Sequence, residues 1–276
     1  MPMLRTRVIT ALVLLSLVLP SLFFLPQGYW ALLVALFIGV AAWEWGGLLG
    51  FDQAKRLLSG AALAMLCAAA VLFDPAAIDG ALSPWVMVSY GIAALFWCAV
   101  IPFWLRAKWK LPQGLPGLLV GLVVLFPTWL ALVQLRVAGP GVLLAIMATV
   151  WMADIAAYFS GKTFGKHKLA PTISPGKTWE GAIGAGVGVV LYGIVLRLAY
   201  SFAPVGLPLW VLGLLAVTAI SIMGDLYESM LKRQAGIKDS SNVLPGHGGV
   251  LDRIDSLTST LPVVALLWLL VARGQG

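Results

Sequence analysis

Near the C-terminus the stretch SMLKRQAGIKDSSNVLPGHGGVLDRIDS, residues 229–256, gathers three Asp, two Lys, two Arg and a His around a Pro-Gly-His-Gly-Gly turn. Only 11% of the whole chain is charged, so this concentration is a place to look for chemistry. Carboxylate oxygens suit Mg²⁺ or Mn²⁺, and guanidinium and ammonium groups suit phosphate. Asp225, Glu228 and Lys232 follow at i, i+3 and i+7 and share one helix face. A Glu228–Lys232 pair accounts for Glu228 as an ordinary i,i+4 contact worth roughly 0.2–0.5 kcal/mol. Asp225 has no basic residue within a helical turn, so it is expected to serve a metal or a substrate. Asp252 and Asp255, again i, i+3, stand where a helix begins and could equally favour its N-terminus. Asp154 is a further acid within an apolar stretch. Three such aspartates, from three helices, suit a divalent cation shared with phosphates.

The second cluster is SGKTFGKHKLAPTISPGKTWEG, residues 160–181. It contains GKT twice, at 161–163 and 176–178, but a P-loop needs a glycine where Ala156 and Pro171 stand. What remains is a Gly- and Lys-rich region suited to phosphate contact, with Lys162, Lys166, Ser174 and Lys177 as candidate substrate-binding residues. His167 and Lys168 read equally well as solvated loop residues. No serine stands with a His and an acid in a hydrolase pattern.

These residues must be positioned inside a membrane. The chain of 276 residues is 61% apolar, with mean hydropathy +0.98, against about 45–50% apolar for a soluble domain. Apolar runs long enough to cross about 30 Å of hydrocarbon recur throughout. We place nine spans at 8–25, 29–50, 57–73, 84–104, 115–135, 141–160, 180–201, 208–231 and 254–272, an all-α polytopic architecture. The first reads as a retained helix, since no small-x-small cleavage site follows it. With the N-terminus in the cytoplasm and the C-terminus outside, the basic residues at 5–7, 55–56, 106–110, 162–177, 232–238 and 253 share one side. Only Arg136, Arg197 and Arg273 fall toward the other, as the positive-inside rule requires. The net charge of +7 therefore reports topology, and no nucleic-acid partner is expected.

Chemistry divides the chain at about residue 140. Residues 1–139 read as five scaffold spans with generic packing residues. Residues 140–276 carry both histidines and two long cytoplasmic loops, 161–179 and 232–253. Asp154 and Asp225 fall about 10–12 Å inside the cytoplasmic end of their spans, and Glu44 lies in the cytoplasmic third of its own. A transporter would place its site nearer the midplane. Gly184 and Gly188 form a GxxxG with Gly181 one turn earlier, expected to allow close helix packing. Cys67 and Cys98 lie within spans and read as small buried side chains.

Ser229, Lys232-Arg233, Lys238-Asp239, Ser241, Leu244-Pro245, His247-Gly248-Gly249, Asp252-Arg253 and Asp255 together resemble the signature of phosphatidate cytidylyltransferases, the CDP-diacylglycerol synthases. The upstream DIAAYFSGKTFGKHKLAPTISPGKTWEG is similar to that family too, so the specific likeness covers about residues 151–256. The resemblance implies transfer of the cytidylyl group of CTP to phosphatidic acid, releasing pyrophosphate, with Mg²⁺ and room for a second cation. It also implies a multi-pass protein of the inner (cytoplasmic) membrane with its site facing the cytoplasm. On this reading Asp225 and Asp252 ligate metal, with Asp154 and Asp255 in support. Lys232, Arg233, His247 and Arg253 complete the catalytic group, and Lys238 and Asp239 join the substrate-binding set. The expected partners are CTP, phosphatidic acid, the bilayer and, as an assembly, a homodimer. A CTP-dependent lipid kinase, releasing CDP, and a cation-coupled transporter are the rival readings.

Overall fold

A computed structural model describes residues 2–200 and 205–273. Position 201, the last residue of the expected seventh span, and positions 274–276 lie outside the described residues. Helices α1 (Pro2–Phe24), α2 (Gln27–Leu48) and α3 (Gln53–Phe73) lead through the short α4 (Pro75–Ile78) to α5 (Pro84–Leu95) and α6 (Ile101–Ala107). There follow α7 (Leu115–Val137), α8 (Pro140–Phe164), a hairpin of β1 (Lys168–Ala170) and β2 (Ser174–Thr178), α9 (Trp179–Ala199), α10 (Leu207–Gln234) and α11 (Leu251–Arg273). Among the described residues nine helical segments are long and apolar enough to cross a membrane. The expected all-α, nine-span architecture is the one observed.

Differences from the expected boundaries cluster around the charged segments. Helix α8 runs on to Phe164, α10 to Gln234, and α11 starts at Leu251. The loops are therefore shorter than expected, because the polar residues at their edges continue helices rather than leave them. The first loop also folds into an antiparallel hairpin pairing Lys168 with Thr178 and Ala170 with Ser174. The fourth span is not a single α-helix: residues Phe96–Val100 form a π turn between α5 and α6, with the Ile101 N–H reaching Phe96 O. Pro102 explains it, since proline offers no N–H and its ring crowds the carbonyl four residues back. Cys67 is buried as expected, but Cys98, in that widened turn, is exposed on the outer face of its span.

Packing sorts the helices into inner and outer. Helices α2 and α7 bury 61% of their spans and α11 buries 50%, whereas α1 buries 6%. One hydrophobic core joins α2, α5, α7, α10 and α11, with Trp97, Trp129, Tyr90 and Tyr227 among its fully enclosed side chains. It crosses the chemical division near residue 140. Within it the Thr128 hydroxyl donates to Val124 O at 2.7 Å and to Thr258 O at 3.3 Å, tying α7 to α11. At the end of the bundle opposite the charged loops Arg136 donates to Leu22 O and to Gln27 Oε1, each at 2.8 Å, and so fixes the α1–α2 turn. Gly181, Gly184 and Gly188 of α9 face α8 of the same chain, while Gly186 and Gly193 meet leucines of α10. A Cβ at Gly184 would overlap the Ser160 side chain, and one at Gly188 would lie 2.6 Å from Ala156 Cβ.

Candidate active site

Helix α10 ends at Gln234, and the turn beyond it passes through Gly236, whose φ of 73° suits a residue without Cβ. The Ile237 N–H donates to Lys232 O at 3.0 Å and the Gly236 N–H to Arg233 O at 3.1 Å, a double closure that satisfies the last carbonyls. The chain then crosses as a strap, residues 235–250, back to the start of α11. Within it the His247 N–H donates to Leu244 O and the Leu244 N–H to Gly248 O, both at 2.8 Å, so His247 rides at the tip of a tight turn. His247 Nδ1 is buried and has no hydrogen-bond partner among the described residues.

The other loop is fastened at both ends. The Thr178 hydroxyl caps α9, accepting from Gly181 N–H at 3.1 Å. Glu180 in the first turn accepts from the His167 amide and lies 2.6 Å from His167 Nδ1. This carries Lys177 inward, where its ammonium pairs with Asp225 Oδ2. Asp225 Oδ1 accepts from the Ser229 hydroxyl at 3.2 Å. The cation that Asp225 lacks along its own helix thus comes from a segment 48 residues earlier. Asp154 on α8, Asp225 on α10 and Asp255 on α11 lie within electrostatic reach of one another, together with Lys177, Lys232 and Arg253. Asp154 is exposed and makes no hydrogen bond among the described residues. Among the described residues Asp255 Oδ1 accepts only from the adjacent Ser256 N–H, at 2.6 Å.

Asp252 is differently employed. Its Oδ2 accepts from Ser240 N–H and the Ser240 hydroxyl, each at 2.9 Å, and from Gly249 N–H at 2.7 Å. Its Oδ1 meets Lys232 Nζ at 2.6 Å, and Lys232 also contacts Glu228 at 3.0 Å. Both oxygens therefore hold protein groups, and the side chain is nearly enclosed, at 3% exposure. Lys162, Lys166, Arg233, Lys238, Asp239 and Arg253 are exposed, and Ser174 is half-buried in β2; Lys162 Nζ lies 5.7 Å from the Tyr158 ring centroid and Arg233 donates to Ile237 O at 3.4 Å.

The geometry also bears on a cation. Among the described residues no three His, Cys, Asp or Glu side chains converge closely enough to hold one. One or two carboxylates among Asp154, Asp225 and Asp255 would be enough for Mg²⁺, which is commonly held that way with waters and substrate phosphates completing its shell.

One participant falls outside the expected set. Glu44 of α2, fully buried, accepts from the Ser241 hydroxyl at 2.5 Å, Val250 N–H at 3.0 Å and Leu251 N–H at 2.6 Å. The one signal in the sequence was an acid inside the apolar run AAWEWGG, with nothing nearby to name its partners.

A membrane-embedded nucleotidyltransferase is the class these elements define, with carboxylates and cations gathered at one end of a helical bundle. Residues 5–271 match the model of the cytidylyltransferase family, and the chain belongs to that family. It is 43% identical to a phosphatidate cytidylyltransferase of Pseudomonas aeruginosa, over 96% of this chain and 97% of that protein. Proteins of the same name from Haemophilus influenzae and Brucella suis are 34% and 37% identical, over 98% and 96% of this chain and 100% and 92% of their own lengths.

Proposed function

We propose that this chain makes CDP-diacylglycerol and pyrophosphate from CTP and phosphatidic acid. A phosphate oxygen of the lipid attacks the α-phosphorus of CTP, and the bond to the departing pyrophosphate breaks. No general base is required, because a phosphomonoester with a second pKa near 6 is mostly dianionic at neutral pH. The difficulty is bringing two polyanions together in line, so catalysis rests on charge neutralisation and positioning. Lys177, Lys232 and Arg253 lie among the acidic groups to do this; the exposed Arg233, Lys238, Lys162 and Lys166 are available to phosphate, and His247 stands on the strap. Asp225 with Asp255 or Asp154 would hold Mg²⁺, which would supply positive charge to neutralise the phosphates.

The observation that carries this reading is the Lys177–Asp225 ion pair between the hairpin and α10, with Asp154, Asp255, Lys232 and Arg253 within electrostatic reach. Asp252 serves the same site by holding the strap and Lys232. The distribution of basic residues supports a cytoplasm-facing site in the inner membrane, with the N-terminus inside and the C-terminus outside. A homodimer would have to use faces other than the GxxxG of α9, since Gly181, Gly184 and Gly188 are taken up by α8. The test is purified protein with CTP, phosphatidate and Mg²⁺, assayed for pyrophosphate. Release of CDP with a new lipid phosphate would instead make the protein a lipid kinase.

A further inference from the structure

The N-terminal spans look like scaffold, yet α2 reaches into the strap. Both carboxylate oxygens of Glu44 are engaged: Oε1 by the Ser241 hydroxyl and Val250 N–H, Oε2 by Leu251 N–H. These donors bracket the His247 turn, since Ser241 precedes it and Val250 and Leu251 lead into α11. Two consecutive N–H groups at the start of a helix are the groups its own turns leave unpaired. A buried acid that satisfies them also meets the positive end of the helix dipole. On the opposite side, Asp252 Oδ2 holds Ser240 and Gly249. Gly249 lies between the two acids, and a Cβ there would overlap both Ser240 Oγ and Glu44 Oε1. Two carboxylates, from helices at opposite ends of the chain, thus grip one short segment.

We infer that Glu44 is a positioning residue for the reaction: it touches no substrate and fixes where the His247 turn and the first turn of α11, with Arg253 and Asp255, stand relative to α8 and α10. The inference rests on the function proposed above. It makes the N-terminal half part of the catalytic unit.

The test is Glu44→Gln in the full-length protein in detergent micelles, with Gln134→Leu as a comparison. Gln134 is also buried, bonding Tyr90 and Ala77 O away from the site. In Glu44→Gln one of the three donors loses its acceptor, because an amide offers a single oxygen. A displacement on the order of 1 Å costs up to about a hundred-fold in rate, so kcat should fall about ten- to a hundred-fold while KM for CTP changes less. Hydrogen exchange at Val250 and Leu251 should quicken by about ten-fold, the equivalent of one lost hydrogen bond, with exchange in α7 and α9 unchanged. Gln134→Leu should lower thermal stability and leave kcat and strap exchange alone. The inference is overturned if Glu44→Gln merely loses stability as Gln134→Leu does, or if its strap exchanges faster at undiminished kcat. Absence of cytidylyl transfer in the wild type would sink the proposed function instead, and the exchange experiment would still decide whether Glu44 holds the strap.

Discussion

Four aspartates of similar sequence standing have different surroundings, and their variants should separate accordingly. Asp225→Asn keeps the shape but removes the charge that faces Lys177 and the proposed cation. Losing an electrostatic contact to the transition state costs about 3–4 kcal/mol, a hundred- to a thousand-fold in kcat, and raised Mg²⁺ should recover part of it. Asp255→Asn should behave in the same way, because its carboxylate caps no helix end and faces Asp225 and Asp154. Asp252→Asn should lose comparable activity that no Mg²⁺ concentration restores, since what fails is the grip on Ser240, Gly249 and Lys232. Initial rates across a Mg²⁺ titration read all three. Equal rescue of Asp252→Asn and Asp225→Asn would show that Asp252 is a metal ligand after all. Residue type and spacing marked out these acids but not their division of labour. Sequence spacing reports neighbours along a helix, whereas Lys177 reaches Asp225 from another element altogether.

At the scale of elements, hydropathy read the spans well because the bilayer imposes one length on every helix. It could not read the π turn at Phe96–Val100, which answers a single proline, nor the hairpin at 168–178, whose strands are too short to show a period. The GxxxG of α9 was legible as close packing, though not its partner. Gly188→Ala would set a methyl 2.6 Å from Ala156 Cβ, and overpacking of that kind costs about 1–3 kcal/mol. The variant should show a lower thermal midpoint and, because α8 carries Asp154, reduced turnover. A second prediction concerns the loop after α3, outside the spans. Asp74 accepts from the Ser83 hydroxyl at 2.5 Å, the Trp85 indole at 2.9 Å and the Ala77 N–H at 3.1 Å. Those bonds, the Ser83 one foremost, hold its pKa below the ordinary 3.8. A depressed folded-state pKa contributes stability above the unfolded value that is lost as pH falls through the folded one. Thermal midpoints of wild type and Asp74→Asn should therefore differ at neutral pH and converge as the pH falls below the lowered folded-state pKa. A gap that persists undiminished in acid would exclude the charge as its source.

At the scale of the whole molecule, the charged loops of α8–α9, α10–α11 and α6–α7 meet at one end. Gln234 donates to Trp109 O at 2.9 Å, and the Thr10 hydroxyl of α1 donates to Pro245 O of the strap at 2.9 Å. If that end is cytoplasmic, a cysteine at the exposed Asn242 should react with an impermeant reagent only after the cells are opened. Ready labelling in intact cells would invert the topology. The gathering at one end was legible from charge asymmetry alone. The joining of the two halves was not, because Glu44 and Leu251 are 207 residues apart and no local pattern links them. That separation also sets an order of events during synthesis. At about 5–20 residues per second, α2 is made roughly 10–40 s before the amides that receive its carboxylate. Until α11 enters, Glu44 is an acid in an apolar helix without its partners, a costly placement in hydrocarbon. A chain truncated before Ser241 would keep that acid permanently unmatched, so nascent protein should stay recognisable as unfinished until the strap and its last helix arrive.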